Sequence, residues 1–236
     1  MTARRGGRAA RLGAAPPADD PLIREGLTPR APADRAARVL VLACGALAHE
    51  ITAITRQAGL DHIDLHCLPA ILHNHPDRIP AAVTAALDAA KGYGATFLAY
   101  ADCGTGGALG RLTEAQGIAM LPGAHCYAFY DGVEAFAARG EVDAFYLTDF
   151  LARSFDAFVT RPLGLDRHPE LRDMYFGHYR RLVYLAQTDD PALDARARAA
   201  AASLELTYER RHTGYGDLTP ALGAIPRPLD PPLDLP

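Results

Sequence analysis

Short apolar runs alternate with amphipathic stretches from about residue 38 to residue 218. The runs VLVLA (39–43) and TFLAYAD (96–102) have the length and composition of strands that are buried on both faces. Between the runs, apolar residues such as Leu47, Ile51 and Ile54 recur at helical spacing. This alternation predicts an α/β fold: a layered, Rossmann-like arrangement with a mainly parallel sheet of about six to seven strands flanked by helices.

The two ends of the chain have a different composition. Residues 1–37 are rich in Arg, Ala and Pro and predict a disordered extension, and residues 221–236 predict a Pro-rich flexible tail. A single α/β domain is expected over residues 38–220. The first residues lack the apolar core of a secretory signal, and no uninterrupted apolar stretch is long enough to span a bilayer. We therefore expect a cytoplasmic protein with reduced thiols and no membrane partner.

The composition is that of an ordinary globular protein and excludes few functions. Of the 236 residues, 49% are hydrophobic, and the formal net charge is -4. Because no excess of basic residues is present to neutralise phosphates, nucleic acid is not an expected partner. The informative residues are therefore the cysteines and their neighbours.

Three of the four cysteines follow predicted strands directly. Cys44 comes after the first strand, Cys103 after the third and Cys126 after the fourth. Ligands of open α/β sheets bind beyond the carboxyl ends of the strands, so these thiols are expected to converge at one sheet edge. Cys67 alternates with Leu65 within the second strand and is expected to be a core residue.

Thiols converging in this way suit two kinds of chemistry. They can hold zinc or an iron–sulfur cluster, and the predicted ligands are Cys44, Cys103, Cys126 and His125. Their spacing is not that of a CxxC knuckle, so the fold would have to assemble the site. Alternatively, Cys103 is a catalytic nucleophile or redox thiol, activated at a helix N-terminus. His73 of the HNHP segment, or else His125, would then be the acid or base.

The segment YADCGTGG (100–107) places Asp102 and Cys103 before a glycine-rich turn. Such a turn at the start of a helix can bind an anion through its backbone amides, although it is also common as a plain strand-to-helix connection. The residues predicted to bind the anion are Gly104, Thr105, Gly106 and Gly107. Three further residues are candidates for the same edge: Asp102 itself, Glu50 in the helix after Cys44, and Tyr215 after the last strand.

Several long motifs together resemble DUF1638, a family described as a domain of unknown function. They are CGALAHEI, CLPAILHNHPDRI, YADCGTGG, PGAHCYAF, FYLTDFLARSFD, GLDRHPELRDMYFGHYRRLVYLAQT and ERRHTGYGDL. The resemblance covers residues 38–218. It implies an association with corrinoid-dependent methyltransferase systems, with the corrinoid carried only by a partner protein. It also implies functional roles for the residues at positions 44, 73 and 103 and for the His and Cys near position 126.

Three functional hypotheses follow. The first is an accessory protein for corrinoid-dependent methyl transfer, which binds a metal or iron–sulfur centre through strand-end cysteines and helps to maintain or reactivate the corrinoid protein. The second is a stand-alone enzyme that uses the Cys103 thiolate on a small anionic or methylated substrate. The third is a non-catalytic binding module with structural cysteines. The sequence does not decide whether the chain is an enzyme.

Overall fold

A computed structural model of the chain describes residues 17–29 and 32–228. Within these ranges seven strands form: β1 (Val39–Cys44), β2 (Ile63–Leu68), β3 (Ala95–Ala99), β4 (Ala119–Met120), β5 (Ala144–Leu147), β6 (Arg181–Ala186) and β7 (Thr207–His212). The α-helices of the same ranges are α1 (Asp19–Arg24), α2 (Ala48–Gln57), α3 (Ile79–Ala89), α4 (Ala108–Gln116), α5 (Ala128–Asp131), α6 (Val133–Arg139), α7 (Asp149–Phe155), α8 (Arg172–Phe176), α9 (Pro191–Ser203) and α10 (Leu218–Gly223). Short 3₁₀ turns lie at Gly45–Leu47, Ala70–Asn74, Pro76–Arg78 and Pro169–Leu171, and a π-helical turn follows α7 at Asp156–Thr160.

The strands belong to two parallel sheets. The first has the order β2-β1-β3-β4 and the second the order β5-β6-β7. All six residues of β1 are buried, as expected for a central strand between helical layers. Val39 pairs with Ile63 on one side and with Ala95 on the other. The chain order reverses at β1, so a crevice is expected beyond the carboxyl ends of β1 and β3.

The predicted α/β class with parallel strands and flanking helices is confirmed, whereas a single sheet of six to seven strands is not what the structure shows. β4 is only two residues long and pairs with β3 alone. Beyond it, Tyr127 and Phe136 pack their rings on Tyr146 of β5. Side-chain packing rather than strand pairing therefore joins the two sheets at this point.

One hydrophobic core extends across both sheets. A single buried cluster includes Leu98 of β3, Phe150 of α7 and Tyr184 of β6, each at most 1% exposed. The two sheets are therefore held against each other by apolar burial, the dominant favourable contribution to folding. Among the described residues, no helix is long and apolar enough to cross a membrane.

Part of the predicted N-terminal extension is ordered, which corrects that prediction for residues 19–27. Leu22 of α1 is 1% exposed, and Leu27 exchanges two backbone hydrogen bonds with Cys67 at the edge of β2. Gly26 has a φ of +79°, and a Cβ there would lie 2.0 Å from the Cys67 carbonyl oxygen. Only glycine permits this close approach. The rest of the predicted extension at residues 1–16 and 30–31 lies outside the described residues.

The beginning of the predicted C-terminal tail is also packed. Leu222 of α10 is fully buried, and the carbonyl oxygen of Ile225 lies 3.2 Å from His62 Nε2. The prediction of a flexible tail from residue 221 is therefore wrong for residues 221–225, because apolar side chains fix them to the body. Residues 229–236 lie outside the described part of the chain.

Candidate functional site

The glycine-rich turn after β3 is organised by a carboxylate from within the chain. Asp102 accepts hydrogen bonds from Thr105 Oγ1 (2.8 Å), the Gly106 amide (3.2 Å) and the Gly107 amide (2.6 Å). Desolvation acts to raise the pKa of Asp102, but these hydrogen bonds prevail and hold it below its usual value. Asp102 therefore stays ionised and fixes the turn that leads into α4.

This arrangement argues against the predicted anion site at Gly104, Thr105, Gly106 and Gly107. Two of the four amides expected to receive an external anion, those of Gly106 and Gly107, already donate to the Asp102 carboxylate. A phosphate or carboxylate ligand would have to displace that carboxylate and would be repelled by it. The glycines serve the backbone instead: Gly104, Gly106 and Gly107 all have positive φ values, which only glycine adopts without strain.

Two of the three predicted strand-end thiols meet. Cys103 Sγ lies 2.8 Å from Cys126 Sγ. The backbone brings them together, because the Asp102 amide donates to the Gly123 carbonyl oxygen and the Cys103 amide to that of Ala124, both over 2.9 Å. Cys103 itself adopts a left-handed conformation, with a φ of +49°. Non-glycine residues rarely adopt it, and such outliers cluster at functional sites.

The pKa values of the two thiols in this sulfur pair, Cys103 and Cys126, are shifted in opposite directions. The hydrogen bond from Cys126 lowers the pKa of Cys103, aided by backbone hydrogen bonds and opposed by desolvation and the Asp102 charge. The same hydrogen bond, together with burial, raises the pKa of Cys126 well above its usual value. The pair therefore favours one thiolate, on Cys103, and one thiol, on Cys126, which donates to it.

Cys44 does not join the sulfur pair but lies deeper in the core. Its side chain is buried at the end of β1, and burial raises its pKa to about 12. The ring of Tyr100 is 1% exposed, and its hydroxyl lies within electrostatic range of all four cysteines. Cys67 is also 1% exposed, which confirms the prediction that it is a core residue. All four thiols thus lie near Tyr100, but only Cys103 and Cys126 line an open space.

That space is a cavity of about 380 Å³ between the two sheets. Cys103, Gly104, His125 and Cys126 border it from the loops of the first sheet, and residues of the second sheet and its helices lie opposite. Six aromatic side chains, here called the aromatic wall, form much of the lining: Tyr127, Phe145, Tyr146, Phe158, Phe176 and Tyr179. The volume is in the range of small-molecule sites.

Both predicted histidines border this cavity. His73 packs edge-on against Phe158, with ring centroids 6.2 Å apart, and His125 stacks on Tyr127 at 5.0 Å. Burial lowers the pKa of His73, and the proximity of His125 lowers it further. Burial also lowers the pKa of His125, against the opposing effect of Asp102. Both rings therefore favour the neutral form, which can accept a proton.

Two other predicted site residues lie away from the cavity lining. Glu50 is 3% exposed, its Oε2 atom has no hydrogen-bond partner, and burial raises its pKa to about 7. Tyr215 is half-buried and electrostatically coupled to Glu50 and Asp149, not to the sulfur pair. The structure therefore does not bring Glu50 or Tyr215 together with Cys103.

The aromatic wall and Tyr100 are the site residues that the sequence interpretation missed. Phe145, Tyr146 and Phe158 have the spacing of ordinary core positions, so their pattern does not separate them from packing residues. A local sequence pattern could have identified two of them. Tyr100 lies three positions before Cys103, and Tyr127 directly follows Cys126. An aromatic residue next to each strand-end thiol marks the same edge of the sheet.

Three of the four predicted metal ligands border the cavity. Cys103, Cys126 and His125 line it, whereas Cys44 is buried at the end of β1. Structural zinc takes four protein ligands, catalytic zinc three, and an iron–sulfur cluster usually four thiolates. Within residues 17–29 and 32–228, no three His, Cys, Asp or Glu side chains are arranged to hold a metal ion. Zinc or an iron–sulfur cluster stays a prediction for direct analysis.

Comparison with known proteins identifies the family of the chain. No curated protein and no solved structure matches the chain. A family model described as "Protein of unknown function (DUF1638)" matches residues 67–222. The matched region contains His73, the sulfur pair, His125 and the whole aromatic wall, whereas Cys44 and Glu50 precede it. Since the model spans well over half of the sequence, the chain belongs to the DUF1638 family.

Proposed function

We propose that this protein is an accessory protein for corrinoid-dependent methyl transfer and that the sulfur pair is its working centre. The observation that carries the proposal is the 2.8 Å separation of Cys103 Sγ and Cys126 Sγ at the border of a cavity. The corrinoid setting comes from the resemblance of the motifs to those of this family. Reduced, reactive thiols suit the cytoplasm, where we place the protein.

The sulfur pair supports thiolate chemistry. Cys103 carries the nucleophilic or ligating thiolate, and Cys126 donates a hydrogen bond that stabilises it. A soft electrophilic centre presented by a partner is a suitable target for such a sulfur. A cavity of about 380 Å³ suits a small group rather than an entire corrinoid. A corrinoid would therefore stay on the partner protein, as an accessory role requires.

A stand-alone enzyme is the second candidate, favoured by the neutral histidines beside the sulfur pair. His73 or His125 could take a proton during attack by Cys103. A methylated substrate fits this cavity better than an anionic one. Among the described residues that line it, no Lys or Arg supplies a counter-charge.

The test starts from protein purified without oxygen, in which bound iron, zinc and sulfide are measured. Cys103→Ala and Cys126→Ala are then compared with wild type for support of corrinoid-dependent methyl transfer in cells that lack the native gene. Cys67→Ala is the matched control, since that thiol is buried in the core. We expect the first two variants to lose function and the control to keep it.

Three outcomes separate the hypotheses. Full function of both Cys103→Ala and Cys126→Ala contradicts the proposed role of the sulfur pair and favours a binding module with structural cysteines. If the wild type binds a stoichiometric metal, and Cys44→Ala, Cys103→Ala and Cys126→Ala all lose it, the result favours an accessory protein that uses a zinc or iron–sulfur centre. Turnover of a small substrate by the isolated protein, abolished by alkylation of Cys103, favours the stand-alone enzyme.

A further inference from the structure

The cavity beside the sulfur pair has an unusual lining. Six of its fifteen lining residues are the Phe and Tyr side chains of the aromatic wall, and two more are His73 and His125. Among the described residues that line it, none is Lys, Arg, Asp or Glu. Any ligand that enters must therefore be recognised by ring faces, by the sulfur pair and by shape.

The rings of the aromatic wall hold each other in place. Tyr127 stacks on Tyr146 with centroids 5.4 Å apart, and Phe145 meets Phe176 edge-on at 5.2 Å. Phe145 also contacts Tyr179, at 5.7 Å. Aromatic rings carry negative charge on their faces, and rings fixed by mutual contacts lose little freedom when a ligand binds. The wall is thus a preorganised surface that attracts positive charge.

The border formed by the first sheet adds to this preference. The first sheet borders the cavity with the sulfur pair and supplies no cationic side chain to the lining. The Asp102 carboxylate, one residue before Cys103, is occupied by its own turn. An anionic ligand would find no cationic partner in this lining, whereas a cation would be attracted by the ring faces.

We propose that this cavity binds a small organic cation whose charged nitrogen or sulfur carries alkyl groups, with the aromatic wall surrounding the alkyl groups. Fully alkylated ammonium and sulfonium ions have no N–H to donate, so a wall without carboxylates does not leave them unsatisfied. They are also large and weakly hydrated, and aromatic cages recognise them through cation–π attraction. The inference rests on the cavity invoked in the proposed function but not on any reaction of Cys103.

The test uses three probes of nearly the same shape and different charge. Tetramethylammonium is the cation, neopentyl alcohol the uncharged analogue and pivalate the anion, each titrated calorimetrically into the full-length protein. We expect one site for tetramethylammonium, with an affinity about tenfold higher than that of neopentyl alcohol. Pivalate should not bind at this site.

Variants locate the binding. Tyr179→Leu removes one ring of the wall. It should weaken the binding of tetramethylammonium about fivefold and change the affinity for neopentyl alcohol little. Tyr175→Leu is the matched control: Tyr175 is also half-buried in the same segment but does not line the cavity. Tyr127→Leu gives a second variant of the wall if circular dichroism shows that Tyr179→Leu is unfolded.

Each remaining result overturns the proposal in its own way. Equal or tighter binding of neopentyl alcohol makes the cavity a site for uncharged apolar groups, and binding of pivalate makes it an anion site. Binding of none of the probes at about 10 mM, where even a weak site would be half filled, rules out this class of ligand. Cys103→Ser separates the two proposals: it abolishes thiol chemistry, whereas tetramethylammonium should still bind to it.

Discussion

Replacement of Asp102 by alanine tests whether this carboxylate organises the site or is free to act on a ligand. The substitution removes the acceptor for three hydrogen bonds, from Thr105 Oγ1 and from the amides of Gly106 and Gly107. The two amides would then be exposed to solvent or left unpaired at the start of α4. The residue directly after Asp102 is Cys103, so the turn also holds the thiolate in position.

The expected loss of stability can be worked out from these contacts. Each hydrogen bond contributes a net value of about 1 kcal/mol, and less where the turn is exposed. The free energy of unfolding should therefore fall by about 2–3 kcal/mol in Asp102→Ala. Asp102→Asn keeps one acceptor oxygen but loses the charge, so we expect about half of that loss. Asp88→Ala is the control, because Asp88 is an exposed residue of α3 paired only with Lys91 at the surface. Such a pair contributes about 0–1 kcal/mol.

The assay is urea unfolding followed by circular dichroism, with parallel alkylation of Cys103 by iodoacetamide. We expect stability to decrease in the order wild type, Asp102→Asn, Asp102→Ala, and the rate of alkylation to differ between wild type and the alanine variant because the turn no longer fixes Cys103. An Asp102→Ala variant as stable as Asp88→Ala would refute the reasoning. The carboxylate would then not be needed by the turn and would be available to a ligand.

Three further predictions follow from buried groups. Cys126→Ala removes the thiol that donates to Cys103, so the pH midpoint of Cys103 alkylation should rise, whereas Cys67→Ala should leave it unchanged. Burial raises the pKa of Glu50 from 4.5 to about 7; the folded state then holds the proton more tightly, and stability should fall by about 3 kcal/mol as the pH rises from 4.5 to 7. Unfolding curves of Glu50→Gln should lack this decline, and an unchanged decline would assign it to another group. Leu22→Ala should cost about 2–5 kcal/mol if α1 belongs to the folded body, and thermal unfolding unaffected by it would mean that α1 does not contribute.

The order of strands and helices could be predicted because burial leaves a clear pattern. β1 (Val39–Cys44) matches the predicted run at residues 39–43, and β3 (Ala95–Ala99) overlaps the run at residues 96–102, since strands covered by helices are mostly apolar. The division into two sheets left no such pattern. It depends on whether β4 and β5 pair. In the structure Tyr127 and Phe136 pack on Tyr146 of β5 instead, and local periodicity does not encode such tertiary contacts.

The candidate site was predictable in part for the same reason. Strand ends place Cys103 and Cys126 at one edge, and topology alone brings them together. The burial of Cys44 was not predictable from the sequence, because cysteine occurs at such positions both as a ligand and as a small apolar core residue. The role of Asp102 was missed because a carboxylate near a glycine-rich turn has the same sequence pattern whether it caps that turn or meets a ligand.

The sulfur atoms at the cavity come from loops of the first sheet, and most of the aromatic rings come from the second sheet and its helices. This separation affects how substitutions can change the cavity. Substitutions in the segment from β5 to Tyr179 can reshape what is admitted without shifting the backbone that pairs Cys103 with Cys126. Under the proposed function, the residues that would set reactivity and those that would set selectivity therefore lie on different stretches of the chain.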